Sequence, residues 1–163
     1  MSSAADRSSF EGLLIGLGHA ERQDDGVGPF VAEALRRRGF PAVVHGGDGT
    51  ALLDAWDNQP VCVVVDAMAA PDSEPGTLRV FTEFQDPEFQ RAGFVHSTHR
   101  LGLPEAVALG RALGRLPGRL VVIGIAGAAF DFGPCLSPAV AATAAQLVER
   151  LADRGFSFDP DAL

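Results

Sequence analysis

Two rhythms of apolar residues alternate along this chain: short continuous runs, and longer stretches with helical spacing. Residues 13–17 (LLIGL) form a brief apolar run that reads as a buried strand, followed by a polar loop over 18–25. Val27, Phe30, Val31, Ala34 and Leu35 then share one helical face, with Asp24 and Asp25 placed to cap its start and Gly39 to stop it. Residues 41–45 predict a second strand, and the GGDGT turn offers Asp48 or Thr50 as cap for a short helix carrying Leu52, Leu53 and Trp56. Residues 61–65 are β-branched and apolar almost throughout, the pattern of a central strand covered on both faces, with Asp66 at its carboxyl end.

The second half repeats the alternation. Weak alternation over 77–82 predicts an edge or antiparallel strand. A polar, Phe-containing segment over 86–94 leads into the loop HSTHRLGL. A helix is predicted over 104–116, with Leu109, Leu113 and Leu116 on one side. Residues 120–125 read as another buried strand, and GAAFDFGPC as loop. Ser137 and Pro138, as N-cap and first helical residue, open a helix that runs to Arg154 and ends at Gly155. Strands that are apolar on both faces need helices on both faces. The fold class expected is therefore α/β: a three-layer α/β/α sandwich around a mostly parallel five-stranded sheet, one edge strand antiparallel. A single domain over 1–163 is expected, with polar tails at 1–10 and 156–163.

Composition removes several function classes. The net charge is −8, there is no lysine, and the arginines form no basic stripe, which argues against nucleic acid as a partner. No apolar stretch is long enough to span a bilayer, and the polar N-terminus lacks the pattern of a secretory signal. The two cysteines, Cys62 and Cys135, form neither a CxxC pair nor a secreted disulfide framework, so a cytoplasmic location is expected.

Polar residues at the ends of apolar runs carry the candidate chemistry. In an open α/β sheet, ligands bind beyond the carboxyl ends of the strands. Asp25, Asp66 and His99 all fall at such points. Two carboxylates and one imidazole suit a first-row divalent ion and leave coordination positions open, as a reactive site requires. Singly, each has a plainer role: a helix cap, a turn former and a loop histidine. His19, His45 and His96 are weaker candidates, suited to supporting or loop roles. A nucleophilic Cys135–His99 pair lacks any sign of an activated thiol, and Ser97 has no GxSxG elbow. GLGHAE lacks the third glycine of a dinucleotide fingerprint. A phosphoacceptor domain would need a lysine after a later strand.

Taken together, these residues resemble the hydrogenase maturation proteases, the nickel-dependent endopeptidases of nickel-iron hydrogenase large-subunit precursors. The resemblance covers most of the chain. LLIGLGHAERQDDGVG is similar to the family's strand, GxGN and acidic-pair segment, with Asp25 at the first metal-ligand position. VVVDAM puts Asp66 at the second, THRLGL puts His99 at the third, and GGDGTALLDAW and VVIGIAG are similar to further family blocks. Two departures stand out: His19 replaces the usual asparagine, and Asp25 replaces the usual glutamate, one methylene shorter. The resemblance implies a phosphorylase/hydrolase-like fold and an endopeptidase that removes the precursor's C-terminal extension once nickel is in place. It implies that the nickel is supplied by the precursor, held by Asp25, Asp66 and His99, with Asp25 or Asp66 assisting as general base. The alternative in another class is a noncatalytic metal-sensing or chaperone-like binder of a metalloenzyme precursor.

Overall fold

A computed structural model describes residues 11–94, 101–156 and 163. Its elements in chain order are β1 (Leu13–Leu17), a 3-10 turn (Gln23–Gly26), α1 (Val27–Arg37), β2 (Ala42–His45), α2 (Gly49–Trp56), β3 (Val61–Met68), β4 (Leu78–Phe81), α3 (Pro87–Gln90), α4 (Leu103–Leu113), β5 (Arg119–Ala126) and α5 (Pro138–Arg154). The strands lie in one sheet in the order β2-β1-β3-β5-β4. Every neighbouring pair is parallel except β4 with β5. This is the mostly parallel sheet with one antiparallel edge that the pattern predicts.

The two faces of the sheet bury separate cores. Alternation along β3 sends Val63, Val65 and Ala67 to one face, where Val27, Val31 and Leu35 of α1 meet Val140, Leu147 and Leu151 of α5. Cys62, Val64 and Met68 point to the other face, against Leu52, Leu53 and Trp56 of α2 and Ala106 and Val107 of α4. A cluster of Phe81, Phe84, Phe89 and Phe94 closes that second core, with ring centroids 5.0–5.7 Å apart.

A missing side chain decides how α1 sits on the sheet. Gly16 faces α1, and a Cβ built on it would stand 2.1 Å from the Gly28 carbonyl oxygen. A Cβ on Gly28 would stand 2.2 Å from the Leu17 oxygen and 2.6 Å from the Val65 oxygen. The first turn of α1 therefore rests backbone on backbone across the ends of β1 and β3, an approach that only two glycines permit.

Several details differ from the sequence reading, each for a physical reason. Asp24 and Asp25 do not cap α1; they lie in the preceding 3-10 turn, and Gly26 is the cap residue. Phe30 lies on the outer flank of α1 and is 44% exposed, so the buried stripe is Val27, Val31 and Leu35. Strand β3 continues to Met68 because β5 is equally long and pairs with it throughout, so Asp66 is inside the strand and not at its end. Helix α4 stops at Leu113, not Leu116, because Gly114 takes the left-handed conformation with φ +66°. Its inner face is Leu103, Ala106, Val107 and Gly110, while Leu113 is exposed. The short helix α3 has its own cap, Asp86, whose side chain accepts the Glu88 N–H. Phe156, counted with the tail, is buried in the α1/α5 core and packs on Phe40.

Gly28→Ala is expected to cost about 2–3 kcal/mol, because the added methyl meets carbonyl oxygens of two strands that cannot move apart. Urea denaturation checks this: an unchanged midpoint would show that α1 seats without the close approach.

Candidate functional site: two buried carboxylates at the switch point of the sheet

Strand order reverses between β1 and β3, since the chain leaves β1 toward β2 on one side while β3 lies on the other. The carboxyl ends of these two strands frame a crevice of the kind in which open α/β sheets bind ligands. A cavity of about 70 Å³ occupies it. Leu17, Leu52 and Leu103 provide apolar wall, and His19, Arg22, Asp25 and Asp66 are the ionisable residues that line it.

Each carboxylate arrives by a different route. Asp66 comes from β3, on the same face as Val64 and Met68, one position beyond the last register pair of β3 with β1 (Gly16 with Val65). Asp25 comes from the 3-10 turn that α1's seat on Gly16 presses against the strand ends. One oxygen of each accepts a backbone amide: Asp25 Oδ2 from His19 N at 3.0 Å, Asp66 Oδ1 from Ala67 N at 2.9 Å. The second oxygen of each is the candidate ligand or base. Only 5% of Asp25 and 3% of Asp66 is exposed.

Burial of both charges together raises their proton affinity. For Asp66, loss of water is the main cause and the nearby Asp25 charge the next, so its carboxyl titrates well above the ordinary range despite the Ala67 amide. Asp25 is also raised, by burial, with the His19 amide and the charges of His19 and Arg22 working in the opposite direction. Two buried carboxylates that repel one another are an unstable arrangement alone and a favourable one around a cation or a shared proton. The hard oxygen donors fit a divalent metal, with His99 as the nitrogen that the resemblance adds.

Asp24, the other half of the acidic pair, has a different task. Its Oδ2 accepts Ala128 N at 2.8 Å, Ala129 N at 3.0 Å and the Ser137 hydroxyl at 2.7 Å, and its Oδ1 accepts Ser137 N at 2.7 Å. Burial alone would raise this carboxyl, but these bonds outweigh it and leave it below the ordinary range. Asp24 thus bolts the turn carrying Asp25 to the loop between β5 and α5. Ser137 sits at the cap position of α5, and its hydroxyl serves Asp24 instead of the helix. No local sequence signal distinguishes Asp24 from Asp25; the difference arises from partners about a hundred residues away.

Of the other residues singled out, His19 lines the cavity and gives its amide to Asp25. His45 ends β2, where its carbonyl accepts the Gly18 N–H at 3.0 Å. Cys135 is exposed and does not line the cavity. Cys62 is buried beneath the sheet, with its thiol pushed up to about 12 by loss of water. His99, His96 and Ser97 lie outside the described residues, although Gly102 and Leu103, three and four positions beyond His99, line the cavity. Among the described residues no group of three or more His, Cys, Asp or Glu side chains could hold a metal ion. Two carboxylates are what the described cavity supplies. Arg22, which spacing gave no reason to choose, is the cavity's guanidinium.

Fold and crevice define an α/β protein with a carboxylate-lined cleft at its switch point, a class shared by many hydrolases and binding proteins. The comparisons narrow it. The model of the HycI hydrogenase maturation protease family matches residues 29–154, and the chain belongs to that family. The matched span contains Asp66 and His99 and begins four positions after Asp25. The chain is 26% identical over 146 residues to the hydrogenase 2 maturation protease of Escherichia coli K12, covering 85% of this chain and 87% of that one. It is 33% identical over 140 residues to the hydrogenase expression/formation protein HupD of Thiocapsa roseopersicina, covering 82% and 62%. The solved structure of the NiFe hydrogenase maturation protease HybD from Thermococcus kodakarensis superposes with a TM-score of 0.70 at 26% identity, covering 86% of this chain and 96% of that one. The family is one of peptide-bond hydrolases, which fits a cleft carrying acid–base groups.

Opposite effects are expected from neighbouring substitutions. Asp24→Ala leaves the amides of Ala128, Ala129 and Ser137 without their carboxylate and is expected to cost about 3–4 kcal/mol. Asp66→Asn is expected to stabilise the metal-free protein at pH 7, with a melting temperature raised by about 2–4 °C if the relief is worth about 1 kcal/mol. The folded chain keeps the Asp66 proton to higher pH than the unfolded chain does. The stability it contributes is therefore greatest below the ordinary value of 3.8 and falls as pH rises toward the elevated folded value. Melting curves from pH 5 to 8 in chelator check this, and a variant no more stable than wild type at pH 7 would contradict it.

Proposed function

We propose that this chain is the endopeptidase that removes the C-terminal extension of a nickel-iron hydrogenase large-subunit precursor after nickel has been inserted, reading the nickel that the precursor carries. The observation that carries the reading is the pair of buried carboxylates facing one small cavity in a chain of this family. A metal arriving with the substrate would offset the mutual repulsion of Asp25 and Asp66, so the cleft favours the loaded precursor over the empty one.

Asp25, Asp66 and His99 are the residues assigned to hold that nickel. When present it supplies Lewis-acid polarisation of the scissile carbonyl and fixes the tail in the cleft. The chain's own residues supply the rest. One carboxylate of the pair takes a proton from the attacking water, a role for which its raised proton affinity suits it, and that proton passes to the departing amine as the peptide bond breaks. His19 orients Asp25 through its amide, and the three leucines limit the water that enters. Free cysteines and the absence, among the described residues, of any helix long and apolar enough to cross a membrane support action in the reducing cytoplasm, where the precursor is expected.

Purified protein is to be incubated with nickel-loaded and nickel-free precursor, and the products weighed by mass spectrometry. Loss of a C-terminal peptide only from the loaded precursor is the expected result. Two intact samples would contradict the reading, and binding without cleavage would favour the noncatalytic binder. His99→Ala is expected to abolish processing and leave the melting temperature unchanged. Asp25→Asn is expected to lower the rate by about a hundredfold or more. Processing at the wild-type rate by His99→Ala would remove that residue from the site.

A further inference from the structure

Beside the cleft lies apolar surface that neither the fold nor the chemistry explains. Phe132 is 85% exposed and Phe30 is 44% exposed. Phe30, Pro29, Pro134 and Leu136, together with the charged Glu33 and Arg37, line an open groove of about 350 Å³. Phe132 stands two positions before Pro134, with the Arg22 guanidinium 5.8 Å from its ring centre. Arg22 also lines the catalytic cavity, so one side chain belongs to both features.

A large exposed aromatic on a loose loop would mean little, but this loop is fastened. Gln23 N donates to Gly133 O at 2.8 Å, Gly133 N to Glu21 O at 2.8 Å, and Asp131 N to Gln23 Oε1 at 3.1 Å. With the Asp24 bonds to Ala128, Ala129 and Ser137, the loop is tied to the catalytic turn on both sides of Phe132. Rigid aromatic and arginine side chains beside a pocket are the groups that dominate the energy of protein–protein interfaces.

We propose that Phe132 and the groove lined by Phe30, Pro134 and Leu136 are the docking surface for the body of the hydrogenase precursor, and that Arg22 links this surface to the cleft. The occupant follows from continuity: a protein substrate whose tail enters the cavity must lie against the surface around it, and Arg22 lines that cavity while its guanidinium stands over Phe132. This inference rests on the function proposed above. It assigns to this surface the affinity for the precursor as a folded protein, and leaves to the carboxylates the reading of its metal.

Cys135 makes the surface directly testable. It lies between the groove residues Pro134 and Leu136 and is exposed, whereas Cys62, the other cysteine, is buried. Alkylation by iodoacetamide therefore reports on whether the loop that carries Phe132, Pro134 and Leu136 is covered. Nickel-free precursor from the same source serves as the probe, so that binding is read without cleavage. Saturating precursor is expected to slow Cys135 alkylation about tenfold, and the double variant Phe30→Ser with Phe132→Ala to weaken precursor binding by about tenfold or more. Val44→Ser, which removes an exposed apolar side chain from β2, is expected to leave binding unchanged.

On nickel-loaded precursor the double variant is expected to raise KM by a similar factor and to leave kcat unaltered. Cys135 alkylated at the same rate with and without precursor overturns the proposal. So does a double variant that binds like wild type, a Val44→Ser loss of equal size, or a self-associated protein that the double variant makes monomeric. Failure of the proposed function is read separately: wild-type protein then binds precursor, with Cys135 protected, and does not cut it.

Discussion

Contact between the first turn of α1 and the ends of β1 and β3 sets the geometry on which everything else rests. At Gly16 and Gly28 the backbones approach within distances that exclude a Cβ. That approach places the 3-10 turn over the mouth of the sheet and delivers Asp25 to the side on which Asp66 emerges. Asp24 then locks the turn from behind, by taking four hydrogen bonds from the loop after β5. Adjacent aspartates thus divide the work: one spends its charge on holding the turn, the other keeps its charge facing the cavity.

The cleft has a cost in stability that is consistent with function. Asp25 and Asp66 are buried, near one another, and each satisfied by only one backbone amide among the bonds described. Buried like charges are tolerated where a ligand or proton completes them, and such sites are where proteins carry local strain. In the function proposed here the completing group would arrive with the substrate. A site that is poor at holding its own metal and good at sharing another's would serve as a checkpoint for metal insertion.

Much of the fold was legible because the pattern of β1, β3 and β5 is so plain. Continuous β-branched runs bounded by turn residues can be little else than buried parallel strands, and the Leu52, Leu53 and Trp56 stripe packs as its spacing predicts. Edges were less legible. The extension of β3 past Val65 depends on its pairing with β5, and the early end of α4 on a single left-handed glycine. Phe30 satisfied the helical spacing but falls on the flank, because periodicity does not fix where the stripe ends. At the site, Asp25 and Asp66 were legible as acids near strand ends, and both line the crevice. The clamp formed by Asp24 and the place of Arg22 in the cavity were not, since both depend on the distant loop over 128–137. His99 lies outside the described residues, and its role rests on the resemblance of THRLGL alone.

The claim that the two carboxylates and His99 share one ion is tested most directly by diffraction from crystals soaked in nickel(II), with anomalous data collected at the nickel edge. A single peak about 2.0–2.2 Å from an oxygen of Asp25, an oxygen of Asp66 and a ring nitrogen of His99 is the predicted result. A peak elsewhere on the surface, or one touched by only one of the three side chains, would contradict it.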